Sequence, residues 1–257
     1  MDRWLGFLRS LVIYHNPVSM RAWTRFYRTL LAPGDLVFDV GAHVGTRSRT
    51  MRNAGARVVA LEPQAPFAGF LRRTLPRDIE LIEAAAGRTE AEADMAVSSR
   101  HPTVSSLHAD FVEGATTAPG FEHVRWDRVQ RVKLVTLDGL IARFGRPRYV
   151  KIDVEGFELD VLGGLSEPLP LISTEFLPGF PLLSHAVIDR LCELGDYCFN
   201  PAQGETAGLM WSDWRDAAAT KAWLDTLPAD ATSGDLFARL ESGTGSPAPN
   251  DPYKGVE

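Results

Sequence analysis

The chain has 257 residues, 45% hydrophobic and 23% charged, which excludes wholesale disorder, a collagen-like repeat and a disulfide-built miniprotein. Its 27 Lys and Arg face 33 Asp and Glu, a net charge of -6; a general nucleic-acid binder needs a basic surface to neutralise phosphates, so no nucleic-acid partner is expected. Two cysteines, Cys192 and Cys198, are too few for a zinc cage and read as reduced thiols of a cytoplasmic protein.

In chain order, Trp4, Leu8, Leu11 and Val12 give the first residues one apolar helical face. Arg9 interrupts the run, which is far short of the ~20 residues of a membrane span, so no membrane span is expected. The face reads as a cap on the domain, with a membrane-surface helix as the alternative. A second helical pattern covers residues 17–31 through Met20, Trp23, Phe26, Tyr27 and Leu30, and Pro33-Gly34-Asp35 breaks it. The expected organisation is a helical cap over 1–33, a main domain over 34–240 and a disordered Gly/Ser/Pro-rich tail over 241–257.

Within the main domain, apolar runs at Leu36–Val40, Arg57–Leu61, Ile79–Ala86, Tyr149–Val154 and Leu171–Phe176 predict buried parallel strands. Helical patterns fall between them at Thr46–Asn53, with Arg47, Arg49 and Arg52 outside, and at Pro66–Thr74, Leu137–Phe144, Leu159–Leu165 and Ala186–Leu194. Residues 90–131 break the rhythm and read as an acceptor-side insertion holding His101, His108 and His123, with short strands near Ala93–Ser98 and Val132–Thr136. Tyr197–Asn200, Gly208–Trp211 and Leu236–Arg239 are later strands. Alternating strands and helices predict an α/β fold, a mostly parallel sheet with helices on both faces, and such sheets bind ligands beyond the carboxyl ends of their strands.

The first such loop is Asp39-Val40-Gly41-Ala42-His43-Val44-Gly45. Its two glycines permit positive φ and close approach of backbone to a ligand. It is neither the G-x-G-x-x-G dinucleotide fingerprint nor a P-loop. An acid beside a glycine turn repels a pyrophosphate and suits a ligand carrying positive charge, such as an aminoacyl sulfonium; the bland reading of Asp39 is a helix cap. The second loop is Glu62-Pro63, where a strand-end acid can accept both hydroxyls of a ribose.

These residues carry a resemblance. Pro33-Gly34-Asp35, Val37–Gly45, Val59–Gln64, Ser105-Ser106-Leu107, Thr136-Leu137-Asp138, Tyr149–Glu158 and Gly234–Ala238 together resemble the FkbM family of S-adenosylmethionine-dependent methyltransferases. The Lys151-Ile152-Asp153-Val154-Glu155-Gly156-Phe157-Glu158 block is its most particular part. The resemblance implies a Rossmann-like class I methyltransferase fold, a seven-stranded sheet of order 3-2-1-4-5-7-6 with the seventh strand antiparallel. It implies that Asp39, Gly41, His43 and Gly45 surround the aminoacyl part of the cofactor, that Glu62 with Pro63 holds the ribose, and that Glu83 and Ala84 line the adenine. The implied reaction is O-methylation of a sugar, polyketide or related metabolite, so the expected partner is a small-molecule or glycan acceptor. A nucleotide-dependent oxidoreductase and a non-catalytic cofactor-binding module are the alternatives.

Asp153 and Glu175 close neighbouring strands and can share a cleft. Crowded carboxylates raise one another's pKa, which makes Asp153 the candidate base and Glu175 its partner. Lys151 lies on the same sheet face as Asp153 and can pair with a buried acid. Ser105, Ser106 and Glu155 are the expected acceptor contacts. The alternative use of Asp153, Glu155 and Glu175 is a divalent metal, for which hard oxygen ligands suit magnesium or calcium.

Overall fold

Leu36–Val40 (β1) is buried at every position, as a strand covered by helices on both faces must be. The computed structural model describes residues 16–98, 105–107, 124–204 and 206–241. Along them β1 follows helix α1 (Pro17–Leu30) and precedes α2 (Thr46–Asn53), β2 (Arg57–Leu61), α3 (Ala65–Thr74) and β3 (Glu80–Ile82). Next come β4 (Ala85–Ala86), β5 (Ala91–Val97), β6 (Arg128–Val135), α4 (Leu137–Phe144), β7 (Tyr149–Ile152) and α5 (Glu158–Gly163). The last elements are β8 (Leu171–Phe176), α6 (Pro181–Leu194), β9 (Tyr197–Gln203), α7 (Ala217–Asp225) and β10 (Gly234–Leu240).

Seven strands form one sheet in the order β3-β2-β1-β7-β8-β10-β9. β10 runs antiparallel to both neighbours, while β3, β2, β1, β7 and β8 are parallel. This is the order, with the antiparallel strand, that the family resemblance implies. Helix boundaries follow local chemistry. Asn16 caps α1 by accepting from the Val18 N–H at 2.9 Å, and Pro17 stands where its missing N–H costs nothing. The Thr136 hydroxyl caps α4 by accepting from the Gly139 N–H at 3.0 Å. Asp216 likewise caps α7, a helix that the strand-and-helix reading leaves unassigned although the cap and the Ala217-Ala218-Ala219 run signal it.

Two faces of the sheet bury two clusters. On one, Trp23, Phe26 and Tyr27 of α1 pack on Val37, Val58, Ala60, Tyr149 and Phe237. Phe26 meets Phe237 edge-on at 5.5 Å, and Tyr149 stacks on Phe237 at 6.0 Å. On the other, Phe38, Val40, Val150, Ile152 and Ile172 receive Leu137, Leu140, Val161, Val187 and Leu191 from α4, α5 and α6. Both cysteines are free thiols. No described helix is long and apolar enough to cross a membrane.

Three expectations are corrected. The strand expected over Ile79–Ala86 is two strands: β3 stays in the main sheet, and β4 leaves it to join a three-stranded sheet of order β4-β6-β5. The break falls where Arg72 of α3 holds the Glu83 carboxylate at the surface through contacts of 2.8 and 2.6 Å, while Ala84, Ala85 and Ala86 turn inward and are buried. β6 begins four residues earlier than Val132, because antiparallel pairing with β5 extends through Arg128–Gln130 although most of those side chains face water. Gly208–Trp211 is no strand. It lies along the edge of β9, where Pro201 has no N–H to return the Met210 bond and the Asn200 side chain holds both polar atoms of the Trp211 backbone. The helical face at 4–12, the tail from 242 and the histidines at 101, 108 and 123 lie outside the described residues.

Phe237 joins α1 to the sheet and is fully buried. Phe237→Ala is expected to destabilise the fold by about 3–5 kcal/mol, read from the denaturant midpoint at an unchanged m-value.

Candidate functional site

A cavity of about 370 Å³ opens at the carboxyl ends of β1, β2, β7 and β8, where the strand order puts the loops of a doubly wound sheet. Its wall runs from one side of β1 to the other. On the β2 side stand Glu62, Pro63, Gln64, Ala84, Ala85, Ala86 and Met95. Under β1 is the turn of Gly41, Ala42, His43 and Val44. On the β7 and β8 side stand Lys151, Asp153, Glu155 and Glu175.

The glycine turn is shaped by close packing. Gly41 has φ +86°, and a Cβ there would sit 1.9 Å from the Asp153 carbonyl oxygen. Only glycine lets the end of β1 lie directly against the end of β7. Glu62 closes the turn from β2. One oxygen accepts from the His43 N–H at 2.7 Å and the other from the Gln64 N–H at 2.8 Å. The carboxyl group is 3% exposed, and burial pushes its pKa up to about 8 against those two hydrogen bonds. The His43 ring packs on Phe67 at 4.3 Å.

β7 supplies the charges. Lys151 projects from its buried middle and donates to Asp153 at 2.6 Å; its side chain keeps 3% of its surface accessible and that of Asp153 38%. Burial opposes the charge on both, but for Asp153 the Lys151 ammonium and its hydrogen bond win, and the carboxyl lies below its ordinary range. For Lys151 the charges of Asp153, Asp235 and Asp39 likewise outweigh burial, and its pKa is raised. Glu155 and Glu175 move the other way. Burial raises both well above the usual value, and the neighbouring acids raise them further. One oxygen from each of Asp153, Glu155 and Glu175 lies within 4.8 Å of the others. The Glu175 Oε2 atom is buried with no hydrogen-bond partner among the described residues.

The turn after β7 is held from within. Glu155 and Gly156 both take positive φ, and the Glu158 carboxylate accepts from the Val154 and Gly156 N–H groups at 3.2 and 3.3 Å. Glu158 thus shapes the loop, and burial puts its pKa near 7.

The structure brings Gly41, His43, Glu62, Pro63, Ala84, Ser105, Asp153, Glu155 and Glu175 onto one wall; Gly45 packs behind it on Leu71 and Leu75. Besides Gly45, three expected residues sit off the wall. Asp39 is fully buried and off the wall, on the face it shares with Lys151, where the Ser48 hydroxyl of α2 donates to it. Glu83 is tied to Arg72 outside. Ser106 is buried off the wall and donates to the Glu155 carbonyl at 2.7 Å, so it positions the acidic loop. Ser105, on the wall, accepts from the Ser98 N–H at 3.2 Å.

Sequence reasoning missed several wall residues. Asn16 and Ser19 come from the start of α1 and Ser233 from the residue before β10. No local pattern marks them, since the tertiary fold alone brings them to the opening. Arg47 was placed on the outer side of its helix, but it lines the cavity with its guanidinium carbon 3.3 Å over the Trp23 ring.

Comparison with known proteins gives one family. The model of the methyltransferase FkbM domain matches residues 39–195. Among solved structures, the O-methyltransferase from Bacillus cereus in complex with SAH aligns at 10% identity over 92% of this chain and 90% of that one, with a TM-score of 0.44. The TehB-like SAM-dependent methyltransferase from Corynebacterium glutamicum aligns at 9% identity over 91% and 94%, with a TM-score of 0.47. No curated protein matches the sequence.

Two outcomes are expected. Gly41→Ala should destabilise the protein by more than the ~1–2 kcal/mol of a left-handed backbone alone, because the added methyl meets the Asp153 carbonyl; thermal unfolding reads this. An acid whose pKa is raised on folding stabilises the fold below its unfolded pKa and loses that contribution as pH rises through its folded pKa. Glu62 should therefore cost stability progressively between its ordinary value near 4.5 and about 8. Urea midpoints at pH 5 and pH 8 should differ less in Glu62→Gln than in the wild type; parallel curves would count against a buried, protonated Glu62.

Proposed function

Because the chain belongs to the FkbM methyltransferase family, and is an S-adenosylmethionine-dependent methyltransferase, we propose that it methylates a hydroxyl oxygen on a sugar, polyketide or related small metabolite. That membership sets aside the nucleotide-dependent oxidoreductase and the inert binder. The observation that carries the acceptor reading is the meeting of Asp153, Glu155 and Glu175 within 4.8 Å on the same wall as Glu62.

The residues of the wall fit the cofactor. Glu62 is a buried carboxyl at the end of β2, placed to accept from a ribose, and Ala84, Ala85, Ala86 and Met95 offer small apolar surface to an adenine. When bound, S-adenosylmethionine supplies an electrophilic methyl group on a positively charged sulfur. The protein aligns the acceptor oxygen with that methyl and takes up the hydroxyl proton.

The ion pair with Lys151 decides which acid does this. Asp153 is held ionised, which makes it a weak base and a strong fixed negative charge, suited to an ammonium or a sulfonium. Burial and the neighbouring acids favour the protonated form of Glu155 and Glu175 beside it, and the two titrate as a coupled pair. A cation entering the cavity favours their ionised form. Glu175, with an unpartnered oxygen, then accepts the hydroxyl proton. Of the two acids read from the sequence, Glu175 is the base and Asp153 its electrostatic partner. Asn16, Ser19, Thr46 and Ser233 also stand on the wall, and these small polar groups suit a polyhydroxylated acceptor.

The same carboxylates form a hard-oxygen donor set of the kind magnesium or calcium takes. The acid–base reading is preferred because the Lys151 ammonium already balances Asp153 at 2.6 Å. Turnover is expected to survive a chelator; loss restored by magnesium or calcium would move the three acids to a metal-binding role.

A labelled-methyl screen over sugars, polyols, phenols and amines tests the acceptor class, and labelling confined to amines would refute it. With an accepted substrate, Glu175→Gln is expected to lower kcat by about 10²–10⁴ while S-adenosylhomocysteine binds within a few-fold of wild type. Full turnover by that variant would remove Glu175 from the chemistry.

A further inference from the structure

The three-stranded sheet turns one apolar face inward, where Ala85, Met95 and Val132 are buried and Leu134 packs beside them. Gln130 stands opposite Met95 in the register of β5 and β6, two residues before Val132, so strand alternation puts it on that same face. A polar side chain there needs partners, and both ends of this amide have one. The nitrogen donates to the Pro63 carbonyl at 2.7 Å, and the oxygen accepts from the Ala65 N–H at 3.2 Å. Gln130 thus ties the small sheet to the loop between β2 and α3.

The two bonds bracket Gln64. The Pro63 carbonyl belongs to the same peptide unit as the Gln64 N–H, and that N–H donates to the Glu62 carboxylate at 2.8 Å. A donor on the carbonyl polarises the peptide and strengthens the bond its N–H gives. The next N–H, on Ala65, is the first of α3; the Gln64 side chain does not cap that helix, and Gln130 takes up the N–H instead. The orientation of both peptides after Pro63 is therefore set from β6.

We propose that Gln130 is a positioning residue for cofactor binding: it holds the Pro63–Ala65 segment so that the Glu62 carboxyl stays turned toward the ribose hydroxyls. The inference rests on the S-adenosylmethionine reading and adds to it a residue of the insertion, outside the motifs that resemble the family. A carboxylate oxygen that accepts one N–H keeps a lone pair for a second donor. Hydrogen bonds weaken steeply with misalignment, so a rotation of the Gln64 peptide, which carries Glu62 with it, costs the ribose contact. The role also explains why β6 reaches back to Arg128: the added pairing with β5 carries Gln130 to the loop.

Calorimetric titration of S-adenosylhomocysteine into wild type, Gln130→Ala, Glu62→Ala and the double variant tests this. Gln130→Ala is expected to weaken binding about 3- to 10-fold, the range of one lost hydrogen bond. In the Glu62→Ala background the same change is expected to cost less than about twofold, because the group it positions is gone. Should Glu62→Ala not fold, Gln130→Glu decides: it keeps an acceptor for the Ala65 N–H, loses the donor to the Pro63 carbonyl, and is expected to bind as weakly as Gln130→Ala. Unchanged affinity in Gln130→Ala, an equal fold-loss in both backgrounds, or wild-type affinity in Gln130→Glu would make Gln130 a strut of the small sheet or a helix cap and overturn the inference. Wild-type affinity in Glu62→Ala would overturn it through the ribose role of Glu62. Failure of the wild-type protein to bind S-adenosylhomocysteine would sink the cofactor reading, and the inference with it.

Discussion

A lysine ammonium held inside a sheet is the constraint from which the chemistry of this protein follows. Lys151 lies on β7, buried on both sides, and its register neighbours are Asp39 on β1 and Ser173 on β8. Taking such a charge out of water costs several kcal/mol, and leaving it unpaired would cost about 3–5 kcal/mol. The fold answers with Asp153 at 2.6 Å and with the fields of Asp39 and Asp235. The compensation has a consequence beyond stability. Asp153 is held below its ordinary range, while burial and the neighbouring acids hold Glu155 and Glu175 above theirs. One ion pair thus sets Asp153 apart from the two acids beside it.

Below that pair the sheet face is polar and aromatic where a sheet interior is usually aliphatic. Tyr149 and Ser173 share a hydrogen bond of 2.7 Å, and Tyr27 of α1 packs over them, its pKa raised by burial. Helix α1 therefore does two jobs at once. Its Trp23, Phe26 and Tyr27 close the core over β1, β7 and β10, and Asn16 and Ser19 at its start line the cavity. Placing the wall on packed helices and strand ends limits how far its charged groups can drift, which matters when a methyl and an acceptor oxygen must be held in line.

Much of the site was legible because it is local. Gly41 is required by a contact between the ends of two adjacent parallel strands, and glycine at a strand end announces such a contact. Glu62 stands at the end of the next strand, where apolar residues stop, and the Lys151–Glu158 block marks its own loop. Direction is less legible. Asp39 reads as a ligand contact from its place at the end of β1, and the structure buries it against Ser48 on the face it shares with Lys151. Arg47 was read as facing water because a charged residue on a short helix usually does, and the indole that receives it comes from a helix outside that pattern. Ile79–Ala86 reads as one strand because no glycine or proline interrupts it. Pairing with β6 and the Arg72–Glu83 bridge divide it.

By itself, the sequence determined the alternation of strands and helices, the glycine turn and the acids that close successive strands. These depend on residue type and on spacing within a few positions. Tertiary structure decided which acid pairs with the buried lysine, which serine holds a loop and which arginine reaches the cavity. Those outcomes depend on distances between side chains far apart in the chain, and an electrostatic field adds over all of them.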